Sequence, residues 1–155
     1  GDHIRKNSQP TDTMYVWGWY PGIYVQAQRM SPTPKAFEGM MHMLPPEQLA
    51  QRVQEIVHAF EKNPPKFIVD TRKVHFPLTR PPLELWPRMK EGFVPPQEAM
   101  MKQFDQMYAN FLKEKVDPAE AKRYEAMQPL RWYVMKNYEV VSGDVGSQVL
   151  FRRKS

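Results

Sequence analysis

Four proline pairs, Pro45-Pro46, Pro64-Pro65, Pro81-Pro82 and Pro95-Pro96, constrain what this chain can fold into more than any other feature. Proline offers no amide donor to a ladder or a helix interior, and it pushes the residue before it out of the helical region. A regular element must therefore lie between two pairs or begin at one. The spacing of the pairs is unequal and their contexts differ, so they mark boundaries and not a repeat.

Between these boundaries the hydrophobic patterns assign the elements. Residues 2–8 read as the last turns of a helix arriving from upstream, broken by Gln9-Pro10-Thr11-Asp12. Met14 to Trp19 is a near-continuous apolar run rich in β-formers, as in a strand buried on both faces. Alternation along it sends Trp17 and Trp19 to one face. Gly18 suits a close backbone approach or an unusual dihedral angle, and Pro21 fits the first turn of a short helix to about Arg29. Residues 31–45 are irregular, with Met40, Met41 and Met43 as flexible gap-fillers. The clearest helix runs from Pro46 to Lys62, with Leu49, Val53, Ile56, Val57 and Phe60 on one apolar face. His58 flanks that face and reads as a partly buried structural histidine.

After Asn63-Pro64-Pro65, the run Lys66-Phe-Ile-Val-Asp70 is a short strand ending on an acid. Strand, helix, strand predicts a right-handed crossover with two parallel strands. Residues 71–96 form a long proline-laced excursion, a length that usually carries function. A helix over about 97–115 carries Met100, Phe104, Met107, Tyr108, Phe111 and Leu112 as its stripe. Asp117-Pro118-Ala-Glu120 reads as a helix start, and that helix breaks near Pro129. Residues 138–142 and 148–152 flank a glycine-containing turn as a hairpin. The sum is an α/β fold in a single domain over 1–155. A small mixed sheet, parallel in its first strands and closed by a C-terminal antiparallel hairpin, is flanked by helices in Rossmann-like layering.

Composition narrows the function classes. The chain is 41% hydrophobic and 25% charged, ordinary globular usage. No apolar run approaches the roughly 20 residues that span a bilayer. Cysteine is absent, which removes disulfides and thiolate chemistry. The net charge of +5 is scattered beside acidic neighbours and does not form the stripe a nucleic-acid binder needs, so no nucleic-acid partner is expected. The compact basic group Arg152-Arg153-Lys154 reads as a solvated tail, or more sharply as an attraction to anionic lipid head groups. Gly1, in place of a starting Met, reads as the scar of an excised fragment.

Ile4-Arg5, Asn7, Asp12, Tyr15-Val16-Trp17-Gly18-Trp19, Pro21 and Ile23-Tyr24 together make a motif. It resembles the opening of the soluble C-terminal extracytoplasmic domain in bacterial membrane glycosyltransferases of the dolichyl-phosphate-mannose protein mannosyltransferase-like type. The resemblance covers residues 4–29, recurs weakly at 63–70 and in the C-terminal hairpin, and thins out across 71–130. It implies a parent enzyme that transfers a sugar from a polyprenyl-phosphate donor on the extracytoplasmic face of the membrane. Its catalytic acid would lie in an early loop between transmembrane helices. This chain alone would then be inactive, and its partners would be its own transmembrane domain, lipid head groups or a glycan acceptor.

Direct chemical motifs are few. There is no glycine-rich phosphate loop, no histidine pair at metal-ligand spacing and no nucleophile elbow, so no cofactor, metal or catalytic residue is assigned. Asp70 ends a strand, where open α/β sheets place ligand groups, and Arg72, His75 and Arg80 follow it in the excursion. The plainer reading of Asp70 is a local cap or a pair with Arg72. Trp17, Tyr20 and Tyr24 are the aromatic candidates for a sugar or lipid contact, although rings at such spacing more often belong to a core. The alternative to the glycosyltransferase reading is an independent soluble ligand-binding or small-molecule enzyme domain, with its site at the strand ends near Asp70 and His75.

Overall fold

The computed structural model describes residues 1–35, 41, 44–71, 97–142 and 148–155. Backbone contacts gather these into two compact units. The first comprises residues 1–35, 58–71, 137–142 and 148–155, and the second residues 41, 44–57 and 97–136.

The first unit is built on a sheet of β1 (Met14–Trp17), β2 (Phe67–Asp70), β3 (Tyr138–Ser142) and β4 (Val149–Arg153), in the order β1-β2-β4-β3. β1 and β2 are parallel, with Met14 opposite Phe67 and Trp17 opposite Asp70. β4 runs antiparallel to both β2 and β3. The chain is thus α/β, with a parallel first pair and a C-terminal hairpin, and the hairpin enters the sheet through its last strand. Burial of both sheet faces accounts for the apolar run Phe67-Ile68-Val69 of β2, whose four residues, the closing Asp70 included, are all buried.

Strand alternation divides the side chains between two faces. Met14 and Val16 of β1 pack with Phe67 and Val69 of β2 against Ile4 of α1 (Asp2–Lys6) and Ile23 and Ala27 of α2 (Gly22–Ala27). Tyr15, pointing the other way, meets Phe60 edge-on at 4.9 Å. Phe60 lies in the last turns of α3 (Pro46–Lys62), the predicted helix to the residue. Leu49, Val53, Ile56 and Phe60 are all fully buried, as the apolar face requires. His58 departs from expectation. Its side chain is exposed, with Nδ1 3.9 Å from Glu61 Oε2, because it sits on the polar side of the helix next to the boundary.

Trp17 and Trp19 do not share a face. β1 ends at Trp17, and Gly18 has φ +110°, so the alternation stops there; Trp17 is 2% exposed and Trp19 57%. The basic C-terminal group is not a tail either. Arg152 and Arg153 belong to β4, where Arg152 pairs with Glu139 of β3 at 2.6 Å. The Arg153 amide donates to the Lys66 carbonyl, and the Lys154 amide to that of Asn137.

The sequence also hid the role of Arg29, which follows α2. Its buried guanidinium donates to the carbonyls of Ala27, Gln28, Arg5 and Ser8 and to the Ser8 hydroxyl. These carbonyls lie at the C-terminal ends of α1 and α2, where helices leave acceptors unsatisfied and favour a cation. One side chain therefore ties both helix ends together.

The second unit holds α4 (Glu98–Lys115), α5 (Pro118–Ala126) and α6 (Gln128–Asn137). Asp117 caps α5 by accepting the Ala119 amide at 2.6 Å, with Pro118 opening the helix. The break after α5 falls at Met127, and Pro129 sits in the first turn of α6, where its missing amide costs nothing. The covered face of α4 carries Met101, Phe104, Ala109 and Leu112, while Met100, Met107 and Phe111 are exposed. The apolar arc of this helix is wider than its covered face, so periodicity found Phe104, Tyr108 and Leu112 but also took in the exposed Met100, Met107 and Phe111. Among the described residues, no helix is long and apolar enough to cross a membrane.

Candidate functional site

The carboxyl ends of β1 and β2 form the rim that the sequence singled out. Two hydrogen bonds lock the strands there. The Thr71 amide donates to the Trp17 carbonyl at 3.0 Å, and the Thr71 hydroxyl donates to the same oxygen at 3.1 Å. The hydroxyl occupies space that a side chain at position 18 would need: a Cβ built on Gly18 would lie 1.9 Å from Thr71 Oγ1. Glycine is thus required here twice, for its positive φ and for the close approach.

The candidate residues divide around this rim. Trp17 is buried and Asp70, its register partner, is buried as well. The Tyr24 hydroxyl accepts the Val16 amide at 2.9 Å, and its ring packs against the core between sheet and helices. Tyr20 and Trp19 are exposed where the chain leaves the rim for α2. The structure therefore brings Trp17 and Asp70 together, gives Tyr24 a structural bond and leaves Tyr20 at the surface. Arg72, His75 and Arg80 lie outside the described residues.

At the amino end of the same strands, Asp12 accepts the Gln9 amide at 2.7 Å and pairs with Lys66 at 3.2 Å. Burial pulls the Asp12 carboxyl upward. The Gln9 amide, Lys66 and Arg29 outweigh that and hold it below its ordinary value.

A second constellation, in the helical unit, was not legible as a site. Asp105 Oδ1 accepts the Tyr124 hydroxyl at 2.7 Å and Arg131 Nη2 at 2.8 Å, and Oδ2 accepts Trp132 Nε1 at 2.7 Å. Arg131, almost wholly buried, lies 3.8 Å over the Tyr124 ring and donates to the Tyr124 carbonyl at the end of α5. Burial is the main cause that raises the Tyr124 hydroxyl far above its ordinary value, so it stays protonated as a donor. The signal was an acid on the covered side of α4, between Met101 and Leu112, since an inward carboxylate demands donors. A shallow cleft of about 280 Å³, lined in part by Lys102, Gln106 and Gln128, opens beside it. With both oxygens of Asp105 occupied, the cluster staples α4, α5 and α6. Among the described residues, no group of three or more acids or histidines is placed to hold a metal ion.

Compared with protein-family models, with curated proteins and with solved structures, the chain matches none.

Proposed function

We propose that this chain is a non-catalytic extracytoplasmic domain of a polyprenyl-phosphate-sugar-dependent membrane glycosyltransferase, where it supports acceptor binding or the mouth of the active site. One observation carries the reading. The segments that resemble that family, 4–29, 63–70 and the C-terminal hairpin, are far apart in sequence yet assemble into one unit. β1, β2 and β4 pair side by side, Asp12 binds Lys66, and the Tyr138 hydroxyl donates to the Pro65 carbonyl. The described residues where the resemblance thins out, from 97 on, belong to the helical unit.

Most of the motif residues are also consumed by this assembly, Trp19 and Pro21 being exposed. Ile4, Tyr15, Val16, Trp17 and Ile23 are buried; Asn7 donates to the His3 carbonyl at the end of α1. Gly18, Tyr24 and Asp12 have the structural tasks described above. A motif spent on packing and capping marks a shared fold, which is why a supporting role is proposed rather than a catalytic one.

The coding sequence immediately upstream of Asp2 tests the reading. Several hydrophobic spans directly before it are expected, and an initiation codon adjacent to Asp2 would refute it. In that case a free-standing ligand-binding domain, with its site at the rim near Asp70, becomes the better account.

A further inference from the structure

The segment from Trp19 to Met30 leaves β1 at its carboxyl end and returns beside its start, where the Met14 amide donates to the Met30 carbonyl. α2, in the middle of this segment, therefore lies along β1. Ile23 and Ala27 face the sheet, and Tyr24 reaches the Val16 amide. Val25 lies on the opposite side and is 79% exposed; Met30 is 77% exposed. Trp19 and Tyr20 at the other end of the segment are also exposed. Four large apolar side chains thus stand in solvent along one short stretch. Exposed apolar groups this dense in sequence, two before α2, one on its outer side and one after it, are the material from which an interaction surface is made.

Charge selects the occupant. Between Asp12 and Glu38 the chain contains no acidic residue. Lys35 is exposed within that interval, and Lys6 is exposed on α1, which packs against α2. Tryptophan and tyrosine favour the boundary between head groups and acyl chains, because a ring buries apolar area while keeping a polar handle at the wet side. Asp2 on α1 is exposed as well, and Arg5 pairs with it at 3.3 Å. Apolar tips, boundary aromatics, flanking lysines and no acid within the segment itself match the surface of an anionic bilayer.

We propose that the Trp19–Met30 face is a membrane-contacting surface, with Trp19, Tyr20, Val25 and Met30 entering the head-group region of an anionic bilayer and Lys6 and Lys35 meeting its charge. The assignment deepens the functional reading above, since a domain beside a lipid-embedded partner needs such a face. It is tested without reference to sugar transfer or to the upstream sequence, so either can fail alone.

The experiment is sedimentation of the chain with vesicles of phosphatidylcholine, with and without phosphatidylglycerol, at low and high salt, together with quenching of tryptophan fluorescence by brominated lipid. Binding to the anionic vesicles is expected, weakened but not abolished by salt, with quenching that disappears in Trp19→Phe. Val25→Glu, at a solvent-facing position that leaves the fold intact by circular dichroism, is expected to weaken binding roughly tenfold, the scale of losing one buried aliphatic side chain. Absence of binding overturns the proposal. So does binding that Val25→Glu leaves unchanged, which would assign the attraction to basic groups elsewhere. A lipid-free dimer that Val25→Glu dissociates would assign the face to a second copy of the chain and overturn it too.

Discussion

At the scale of single residues, the most demanding position is Gly18. Any L side chain there takes a dihedral angle that side chains rarely adopt, and its Cβ meets the Thr71 hydroxyl. Strain of this kind costs about 1–3 kcal/mol, and overpacking adds about 1–3 kcal/mol more. Gly18→Ala is therefore expected to lower stability by that combined range in urea denaturation. Thr71→Ala alone should lose about 0.5–1.5 kcal/mol, the worth of one hydrogen bond. In the double variant the penalty at position 18 should shrink, because the nearest clashing atom is gone; strict additivity would count against the contact. Asp12 makes a prediction in pH. Its folded-state value is depressed, so the stability it contributes is present above the ordinary carboxylate range of about 4 and is lost as pH falls through the lower folded value. Asp12→Asn should flatten that acid limb in thermal melts followed downward from neutral pH, and an unchanged limb would deny Asp12 the role.

At the scale of elements, burial decides which rings matter. Phe60 is buried against Tyr15, whereas Phe111 on α4 is exposed. Phe60→Ala is expected to cost about 3–5 kcal/mol, as large-to-small core changes do. Phe111→Ala should fall within about 0.5 kcal/mol of the parent, as surface changes do. Chemical denaturation of the pair compares them directly. The contrast also shows what local pattern carries. The strands read at 14–19 and 66–70 and found at 14–17 and 67–70, the helix at 46–62, the Asp117 cap and the final hairpin were legible, because period, proline and capping chemistry are local signals. The stripe of α4 was not, since a wide apolar arc does not say which part its neighbours will cover. Trp19 was misplaced because one positive-φ glycine ended the alternation. Arg29 and the Asp105 cluster escaped because their partners are remote in sequence. Of the candidate site, Asp70 was read at the end of its strand, whereas Trp17 was read inside a strand that in fact ends on it, and nothing local showed that Tyr24 would be committed to the Val16 amide.

At the scale of the whole molecule, the division of labour between units gives the last prediction. The sheet unit uses most of the family-like residues for its own integrity, and the helical unit commits a partly buried acid, Asp105, to three donors on α5 and α6. A group that catalyses must be able to reach a substrate and exchange a proton or a bond with it. Among the described residues, Asp70 is the acid best placed by topology, at the carboxyl end of a parallel pair, yet it is buried. On the proposed reading, the isolated chain is expected neither to hydrolyse nor to transfer sugar from a polyprenyl-phosphate donor, and a full-length membrane parent is expected to do so. The assay should follow radiolabelled sugar from donor to acceptor, with the isolated chain, the full-length protein and Asp70→Ala compared side by side. Turnover by the isolated chain that Asp70→Ala abolishes would make the rim an active site in its own right, and the supporting role would have to be given up.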